Sequence, residues 1–447
     1  AAVVLWYFLL LAALGRKTLF RRESAILRAV NLFLAATFAL QSNSWIRGWN
    51  VLALLVLVPV HTCGLSAAMQ FPWWRPRMLW ERAVCFFSGL FSAVGAPFAA
   101  LMPAGKSRDS RRLLSTVLGC CGAAVLLCIL VPVLSSADAL FAAATADLRS
   151  LIRSHFTTSL AELLWALILT PFLFSLLYRL RRPLPSKALL PEKMVSADGT
   201  GFWILLAALD VLYFVFLLVQ SAGLFGGPEY LSARGLSYAQ WARSGFFQMV
   251  GVTIVNLSVL LAAVTFSHRQ GRGWTTVRLL SGVLIAESLV LLASAAWRMS
   301  LYVGAYGLSF KRLVTYWGME MMALFFLAAL WKLLRTDRSF CRLAFPIALA
   351  GWVLLNCVPL DALVARDQVD RVLSGETAVL DVEYLLEDLS YDTLPQLDRL
   401  DGSRNVYTQE GKTTLEALLT QRRSEARAEC SDWRAWNLSA WRAAADS

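Results

Sequence analysis

Apolar segments of membrane-spanning length dominate this sequence and recur almost from end to end. Ten of them approach the roughly 20 residues that a helix needs to cross a bilayer, and basic residues are concentrated between them. A secretory signal peptide would account for only one such segment. The sequence therefore predicts an all-α, polytopic helical membrane protein of about ten transmembrane helices, at 1–14, 25–41, 49–70, 113–136, 157–179, 201–224, 245–267, 276–297, 313–333 and 342–360.

The composition excludes an ordinary soluble protein and gives no sign of a metal or cofactor. Of the 447 residues, 58% are hydrophobic and 16% are charged, which is too apolar for a soluble chain of this size. The net charge of +12 comes from basic residues that flank the apolar segments, so contact with the lipid bilayer explains it better than nucleic acid does. The eight cysteines form no C-x-x-C pair and the three histidines are scattered, so neither a metal site nor any cofactor is expected.

The character of the chain changes after Leu360, which predicts two domains. Residues 1–360 form the transmembrane helical domain, and 361–447 form an acidic helical domain outside the membrane, called the tail below; the tail holds 17 of the 30 acidic residues and 10 of the 42 basic ones. Segment 1–14 is short and does not begin with Met, so we expect that the chain was trimmed there.

Apolar residues in the tail recur at helical spacing. Such stripes are typical of the core of a small helical domain, although a Trp-rich end can also be a partner surface. The stripes are Val382, Leu385, Leu386 and Leu389, then Leu394, Leu397 and Leu400, then Leu415, Leu418 and Leu419, and the Trp-rich end is Trp433, Trp436 and Trp441.

The distribution of Lys and Arg predicts the orientation, because translocation of positive charge is disfavoured. Basic groups at 15–24, 179–200, 269–278 and 332–342 favour the cytoplasm. With ten crossings, both ends of the chain and the tail are then extracytoplasmic.

The apolar segment 79–102 does not fit a pattern in which successive segments cross the membrane in alternate directions. Basic clusters bracket it, and both favour the same side of the membrane: Arg75 and Arg77 before it with Arg82 in its first turn, and Lys106, Arg108, Arg111 and Arg112 after it. Its bulky apolar residues recur every three or four positions. We therefore expect an in-plane helix at the cytoplasmic interface or a re-entrant segment; the alternative is an eleventh span.

A short phrase occurs twice, each time just before a long apolar run: GLSYAQWARSGFF from Gly235 and GLSFKRLVTYWG from Gly307. Ser237 and Ser309 are placed to cap the following helices, and the two glycines permit a tight turn before them. The two hairpins that contain these phrases derive either from one duplicated unit or from chance similarity.

Four phrases carry a resemblance to a known family: LYFVFLLVQSAGLFGGPEYLSARGLSYAQWARSGFFQMVGVTIVNLSVLL, RMSLYVGAYGLSFKRL, PLDALVARDQVDRV and LDVEYLLEDLSYDTLPQL, in that order. With them the chain resembles a family of bacterial multi-spanning membrane proteins defined as a domain of unknown function, of the 4153/4173 type. The resemblance extends from about residue 200 to 400, and before that it rests on hydropathy and on the in-plane segment. It implies this architecture and a bacterial plasma (inner) membrane, but no reaction, substrate or cofactor.

Ionisable and polar residues inside the predicted spans are the first candidates for function, because they are unfavourable there unless paired or hydrated. The set is Asp210, Glu287, Glu320, Asn256 and Arg28. In one interpretation the carboxylates line a path for protons or a cation. In the other, each carboxylate bonds a neighbouring helix through partners such as Asn256, Gln248, Tyr213 or Tyr316. Arg28 could supply one compensating charge.

A second set of candidates lies in two loops on the extracytoplasmic side. It consists of Arg234, Tyr238 and Arg243 in one loop, and Arg298, Tyr302, Tyr306, Lys311 and Arg312 in the other. Mixed aromatic and guanidinium groups can bind an anionic lipid headgroup or the carboxylates of a protein partner; the alternative is an ordinary interfacial belt. Asp361, Asp367 and Asp370 are predicted to pair with Arg298, Lys311 and Arg312 and so to dock the tail.

No enzyme signature such as G-x-S-x-G, H-E-x-x-H or a phosphate-binding Gly-rich loop is present, which favours a protein without catalytic activity. The first hypothesis is an envelope signalling, scaffold or accessory protein that binds a partner through its loops and tail. The alternative is a transporter or a proton or ion pathway that uses the intramembrane carboxylates. A third hypothesis is a membrane enzyme that acts on a lipid-linked substrate.

Overall fold

The computed structural model describes residues 1–97, 158–182, 199–225, 246–267 and 271–445, except 22–23, 67–68, 70, 336–337, 378–379 and 409–410, together with six isolated residues between 116 and 130. Almost all of the predicted span at 113–136 lies outside these residues. The same holds for the phrase at Gly235, with Ser237, Arg234, Tyr238 and Arg243, and for the end of the segment 79–102.

Helices make up most of the described chain. They are α1 (Ala2–Leu14), α2 (Arg16–Leu19), α3 (Ala25–Leu40), α4 (Ser44–Gly64), α5 (Arg77–Phe91), α6 (Thr158–Arg181), α7 (Gly199–Phe225), α8 (Phe246–Phe266), α9 (Gly271–Tyr306), α10 (Phe310–Leu334), α11 (Cys341–Cys357), α12 (Leu360–Leu373), α13 (Leu394–Leu397), α14 (Leu415–Ser431) and α15 (Leu438–Ala445). A π-helical turn at Tyr384–Asp388, a 3₁₀ turn at Tyr391–Thr393 and strands β1 (Asn405–Thr408) and β2 (Gly411–Thr414) complete it.

Four of the described helices contain a segment long and apolar enough to cross a membrane: α4, α7, α9 and α10. Helices α11 and α12, which bend by 53° at their junction, make a fifth if they are taken as one span. Shorter apolar helices are α1, α3 and the 251–266 part of α8. The protein is therefore an all-α membrane protein, and the number of ten crossings stays a prediction.

Helices α7, α8, α9 and α10 pack into one bundle. Its core consists of large aliphatic and aromatic side chains such as Leu206, Leu260, Leu284, Leu291 and Phe326. Helix α9 has 36 residues, which is about 54 Å at the rise of an α-helix. It therefore reaches well beyond the 276–297 predicted for this span.

Helix α5 lies in the segment expected to run in the membrane plane, and its described helical part ends at Phe91. It packs on α6 through a small residue, since a Cβ added at Gly89 would lie 2.8 Å from Leu176 Cδ1. The hydroxyl of Ser175 donates to the carbonyl of Gly89 at 2.6 Å and accepts from the amide of Ala93 at 2.8 Å. These bonds satisfy backbone groups where helix α5 ends.

The tail contains the predicted helical stripes and one hairpin that the sequence pattern did not indicate. Val382, Leu385, Leu386 and Leu389, then Leu394, Leu397 and Leu400, then Leu415 and Leu419 are buried in one core, and Leu418 packs against it. Strands β1 and β2 pair antiparallel, with Asn405 opposite Thr414 and Thr408 opposite Gly411.

The core of the tail continues into the membrane helices. Ile46 of α4, Phe310 of α10 and Leu355 of α11 belong to the same buried cluster as Val364 and Val369 of α12. Packing is thus continuous across Leu360, where the composition of the chain changes.

Candidate functional site

Helices α7 and α9 bring two carboxylates together inside the bundle. Asp210 lies in the middle of α7 and Glu287 in the middle of α9, and the two interact electrostatically. Their exposed fractions are 7% and 8%. The two residues are 77 positions apart in sequence, so only the packing of α7 on α9 makes them neighbours.

Polar side chains of α7, α8 and α9 lie near this carboxylate pair. Asn256 is completely buried, and its amide donates to the hydroxyl of Ser288 at 2.9 Å. Tyr213 of α7 lies within interaction distance of both Asn256 and Glu287. The pair therefore has polar neighbours inside an otherwise apolar bundle.

Three of the four carboxylate oxygens of this pair lack a donor among the described residues. Within the described part of the chain, neither oxygen of Asp210 nor Oε2 of Glu287 has a hydrogen-bond partner. The same part of the chain holds no basic residue that forms an ion pair with either of them. Asn256, one of the predicted partners, bonds Ser288 instead. The arrangement provides two acidic groups that can accept a proton or a cation.

The remaining residues of the predicted intramembrane set lie elsewhere. Glu320 is exposed on the surface of α10. The guanidinium of Arg28 donates to the carbonyl of Leu19 and lies 4.6 Å from the centre of the Phe20 ring. The structure thus places Asp210, Asn256 and Glu287 together, and Glu320 and Arg28 apart from them.

Sequence reasoning missed a second buried polar cluster, between α1, α3 and α4. The hydroxyl of Tyr7 lies 3.0 Å from His61 Nδ1 and accepts from the amide of Asn31 at 3.0 Å. The indole of Trp6 donates to the hydroxyl of Thr62 at 2.9 Å. His61 is 1% exposed. The sequence signal that could have found this cluster is the position of His61 inside an apolar run.

The described members of the second predicted set lie in the last turns of α9 and the first turn of α10, not in a loop. Tyr302 and Tyr306 pack with ring centres 4.9 Å apart, and the guanidinium of Arg312 lies 4.4 Å from the centre of the Tyr302 ring. Lys311 is exposed, whereas Arg298 is buried within α9. These side chains do not form one open cationic surface.

The tail contacts the loop at Gly307 through backbone groups. The carboxylate of Asp367 accepts from the amide of Leu308 at 2.6 Å, and the amide of Gln368 donates to the carbonyl of Leu308 at 2.7 Å. Gly307 has φ +73, as a tight turn requires, and a Cβ there would lie 2.9 Å from Gln368 Nε2. The loop and α12 therefore fit closely together.

The predicted capping role of Ser309 is wrong. Ser309 occupies the N-cap position of α10, but its side chain makes no capping hydrogen bond. The amide of Phe310 instead donates to the hydroxyl of Tyr384 at 3.0 Å. Tyr384 of the tail thus accepts a hydrogen bond from an amide in the first turn of a membrane helix, where amide groups have no partner within the helix.

The predicted salt bridges of the tail are also wrong, because the three aspartates have other partners. Asp361 is 3% exposed and accepts two bonds from Asn43 Nδ2, at 2.9 and 2.8 Å, and one from the amide of Ser390 at 3.1 Å. Asp370 pairs with Arg399 at 2.6 Å. Asp361 begins α12 and faces the connection between α3 and α4, away from the loop at Gly307.

The fold and the buried carboxylate pair define an all-α integral membrane protein with ionisable groups inside its helical bundle. The family model described as Domain of unknown function (DUF4153) matches residues 29–400. The chain therefore belongs to this family, and the predicted resemblance is confirmed. No curated protein and no solved structure gives a significant match.

Proposed function

We propose that this protein moves protons or a small monovalent cation through the membrane, with Asp210 and Glu287 as the groups that bind it. The observation that carries the proposal is a pair of buried carboxylates in which, among the described residues, both oxygens of Asp210 and Oε2 of Glu287 have no hydrogen-bond partner and neither acid has a basic partner. Ionisable groups inside a membrane bundle generally mark ion or proton pathways.

The chemistry follows from the electrostatics of the pair. Two adjacent buried carboxylates cannot easily be ionised at the same time, because each charge is poorly solvated and repels the other. A proton or a cation relieves both effects. The surrounding core is apolar, so the polar atoms near the bound ion come from the side chains of Asn256, Ser288 and Tyr213.

Proteoliposomes that contain a pH-sensitive dye and the purified protein test this function. We expect ion-driven pH changes with the wild type, and loss of the signal to background in Asp210→Asn and Glu287→Gln. Glu320→Gln is the matched control, because Glu320 is also an acid in a membrane helix but is exposed on α10; it should retain the flux. Equal flux in all four proteins, or none in the wild type under any ion gradient, would contradict the proposal.

A second candidate is the envelope signalling, scaffold or accessory role, in which the protein binds a partner. It is favoured by the exposed indoles at the end of the tail, Trp433, Trp436 and Trp441, because exposed tryptophans are frequent anchors of protein interfaces. The contacts of the tail with the loop at Gly307 would connect that partner to α9 and α10. This candidate includes two further proposals: the membrane is a bacterial plasma membrane, and the tail is extracytoplasmic. The second is based on the basic residues in the loops.

Chemical crosslinking of intact cells separates the two candidates. A partner that crosslinks to the wild type and is lost in the Trp433→Ala, Trp436→Ala double variant, with ion flux unchanged, supports the second candidate. Labelling of a cysteine introduced at Asp388 tests the orientation: reaction only after permeabilisation would place the tail in the cytoplasm. The lipid-linked enzyme hypothesis has no comparable support, since Arg312 is engaged by Tyr302 and by the carbonyl of Tyr306.

A further inference from the structure

A cleft of about 510 Å³ opens where the tail meets the membrane helices. It lies between the ends of α3 and α11 on one side and α15 with the 3₁₀ turn of the tail on the other. We call it the junction cleft, and the residues that matter for its chemistry are Phe33, Leu40, Val358, Asp392, Gln396 and Arg442.

One wall of the junction cleft is apolar and continuous with the membrane surface of the bundle. Phe33 and Leu40 lie two turns apart on α3, and Val358 directly follows α11. Leu40 and Val358 are exposed. Because these residues lie on and beside apolar helices of the membrane bundle, the wall can receive the first part of an acyl chain that continues into the bilayer.

The opposite wall carries groups of both charges. Asp392, Gln396 and Arg442 all line the cleft, and the charge of Arg442 acts on the Asp392 carboxyl. The hydroxyl of Ser390 lies 3.4 Å from Asp392 Oδ2, at the long limit of a hydrogen bond. Burial and the nearby charge of Asp361 raise the pKa of the Asp392 carboxyl, and hydrogen bonds from Ser439 and Ser390 and the charge of Arg442 oppose this effect only in part.

We propose that the junction cleft binds a zwitterionic aminophospholipid, such as phosphatidylethanolamine, with its ammonium at Asp392, its phosphate at Arg442 and its acyl chains along Phe33, Leu40 and Val358. Opposite charges in one polar wall complement a headgroup that carries both charges. The volume of the cleft accommodates the headgroup, and the chains extend into the surrounding membrane. The lipid would then join the tail to α3 and α11, next to the bond from Ser439 to the carbonyl of Leu40.

The headgroup contacts make a specific prediction about lipid selectivity. A primary ammonium donates hydrogen bonds to a carboxylate, whereas the quaternary ammonium of phosphatidylcholine has no N–H group to donate. Phosphatidylglycerol has the phosphate but no positive charge to neutralise Asp392. The cleft should therefore prefer phosphatidylethanolamine over both.

Native mass spectrometry of the full chain in detergent measures this preference with dioleoyl lipids of the three headgroups. We expect phosphatidylethanolamine to bind about tenfold more tightly than phosphatidylcholine, since one charge-assisted hydrogen bond separates them. Asp392→Asn should remove this difference, and Arg442→Gln should weaken the binding of all three lipids. Glu376→Gln and Arg366→Gln are matched controls on exposed ion pairs of the tail and should behave as wild type. Thermal unfolding of each variant verifies that it is folded.

Soluble glycerophosphoethanolamine distinguishes the lipid from its headgroup alone. It should fail to displace the bound lipid at equal concentration, because it lacks the chains that contact the apolar wall. Displacement by this soluble compound would overturn the lipid as the occupant. Equal binding of the three lipids, a preference for phosphatidylglycerol, or the same loss of binding in the two control variants would overturn the site.

Discussion

Two buried carboxylate regions of this protein differ in one respect, the presence of hydrogen-bond donors. At the tail junction, Asp361 is 3% exposed and accepts three hydrogen bonds, from the side chain of Asn43 and the backbone of Ser390. In the membrane bundle, Asp210 and Glu287 are almost as buried, yet both oxygens of Asp210 and Oε2 of Glu287 have no partner among the described residues.

The difference separates a structural carboxylate from a functional one. Hydrogen-bond donors that are fixed around an ionised group stabilise its charge, so the group gains little from binding a mobile ion. A carboxylate pair without donors has a high affinity for whatever can supply positive charge. Helix α10 and the loop before it connect the two regions, since Phe310 belongs to the core of the tail and Phe326 to the core of the bundle.

The largest expected effect on stability is at the satisfied carboxylate. Asp361→Ala leaves the amide of Asn43 and the N–H of Ser390 without an acceptor in a buried site, so we expect a loss of about 3 kcal/mol in the free energy of unfolding. Asp370→Ala is the control, because its ion pairs are half-exposed and worth less than about 1 kcal/mol. Thermal unfolding in detergent measures both variants. Equal losses of stability in the two variants would remove the distinction between a buried, hydrogen-bonded carboxylate and an exposed one.

A smaller loss is expected where the loop meets the tail. In Gly307→Ala the added Cβ meets Gln368 Nε2 at 2.9 Å and the residue keeps a positive φ, which together are unfavourable by about 2 kcal/mol. Gly304→Ala is the matched control three residues earlier, where a Cβ would meet nothing within 4 Å. The ion flux per folded molecule should be unchanged in both variants. A loss of flux in Gly307→Ala alone would show that the two regions are coupled.

Much of the helical architecture could be predicted, because long apolar runs leave few alternatives to a membrane helix. Helix α3 (Ala25–Leu40) agrees closely with the predicted 25–41, and the tail stripes are buried as expected. Helix α9 was predicted too short, because Arg298 resembles the end of a span but is buried inside the helix. The hairpin β1–β2 was missed because its strands have four residues each and are mostly polar.

The site could be predicted only as a set of candidates. An acid inside an apolar run is visible in a sequence, so Asp210, Glu287 and Glu320 stood out equally. Which of them face each other depends on how the helices are rotated. The amphipathic pattern of α10 is weak, so the sequence gives no sign that Glu320 lies on an exposed face. The contacts of the tail with Leu308 and Phe310 use backbone groups, which every residue carries, and side-chain patterns therefore pointed to the wrong salt bridges.

The smallest expected effect, that of Glu287→Gln, is the most discriminating, because the same chemical change at Asp361 should have the opposite sign. Glu287→Gln replaces a buried carboxylate whose Oε2 has no donor among the described residues by a neutral amide, so we expect a gain of up to about 1 kcal/mol in the free energy of unfolding. Asp361→Asn makes the equivalent change where the carboxylate is satisfied, and turns one acceptor into a donor that faces Asn43, so stability should fall by about 2 kcal/mol. Unfolding of the two variants by heat in the same detergent gives the comparison directly. If both variants lose stability to the same extent, Glu287 is a structural carboxylate like Asp361, and the proposed ion pathway loses its basis.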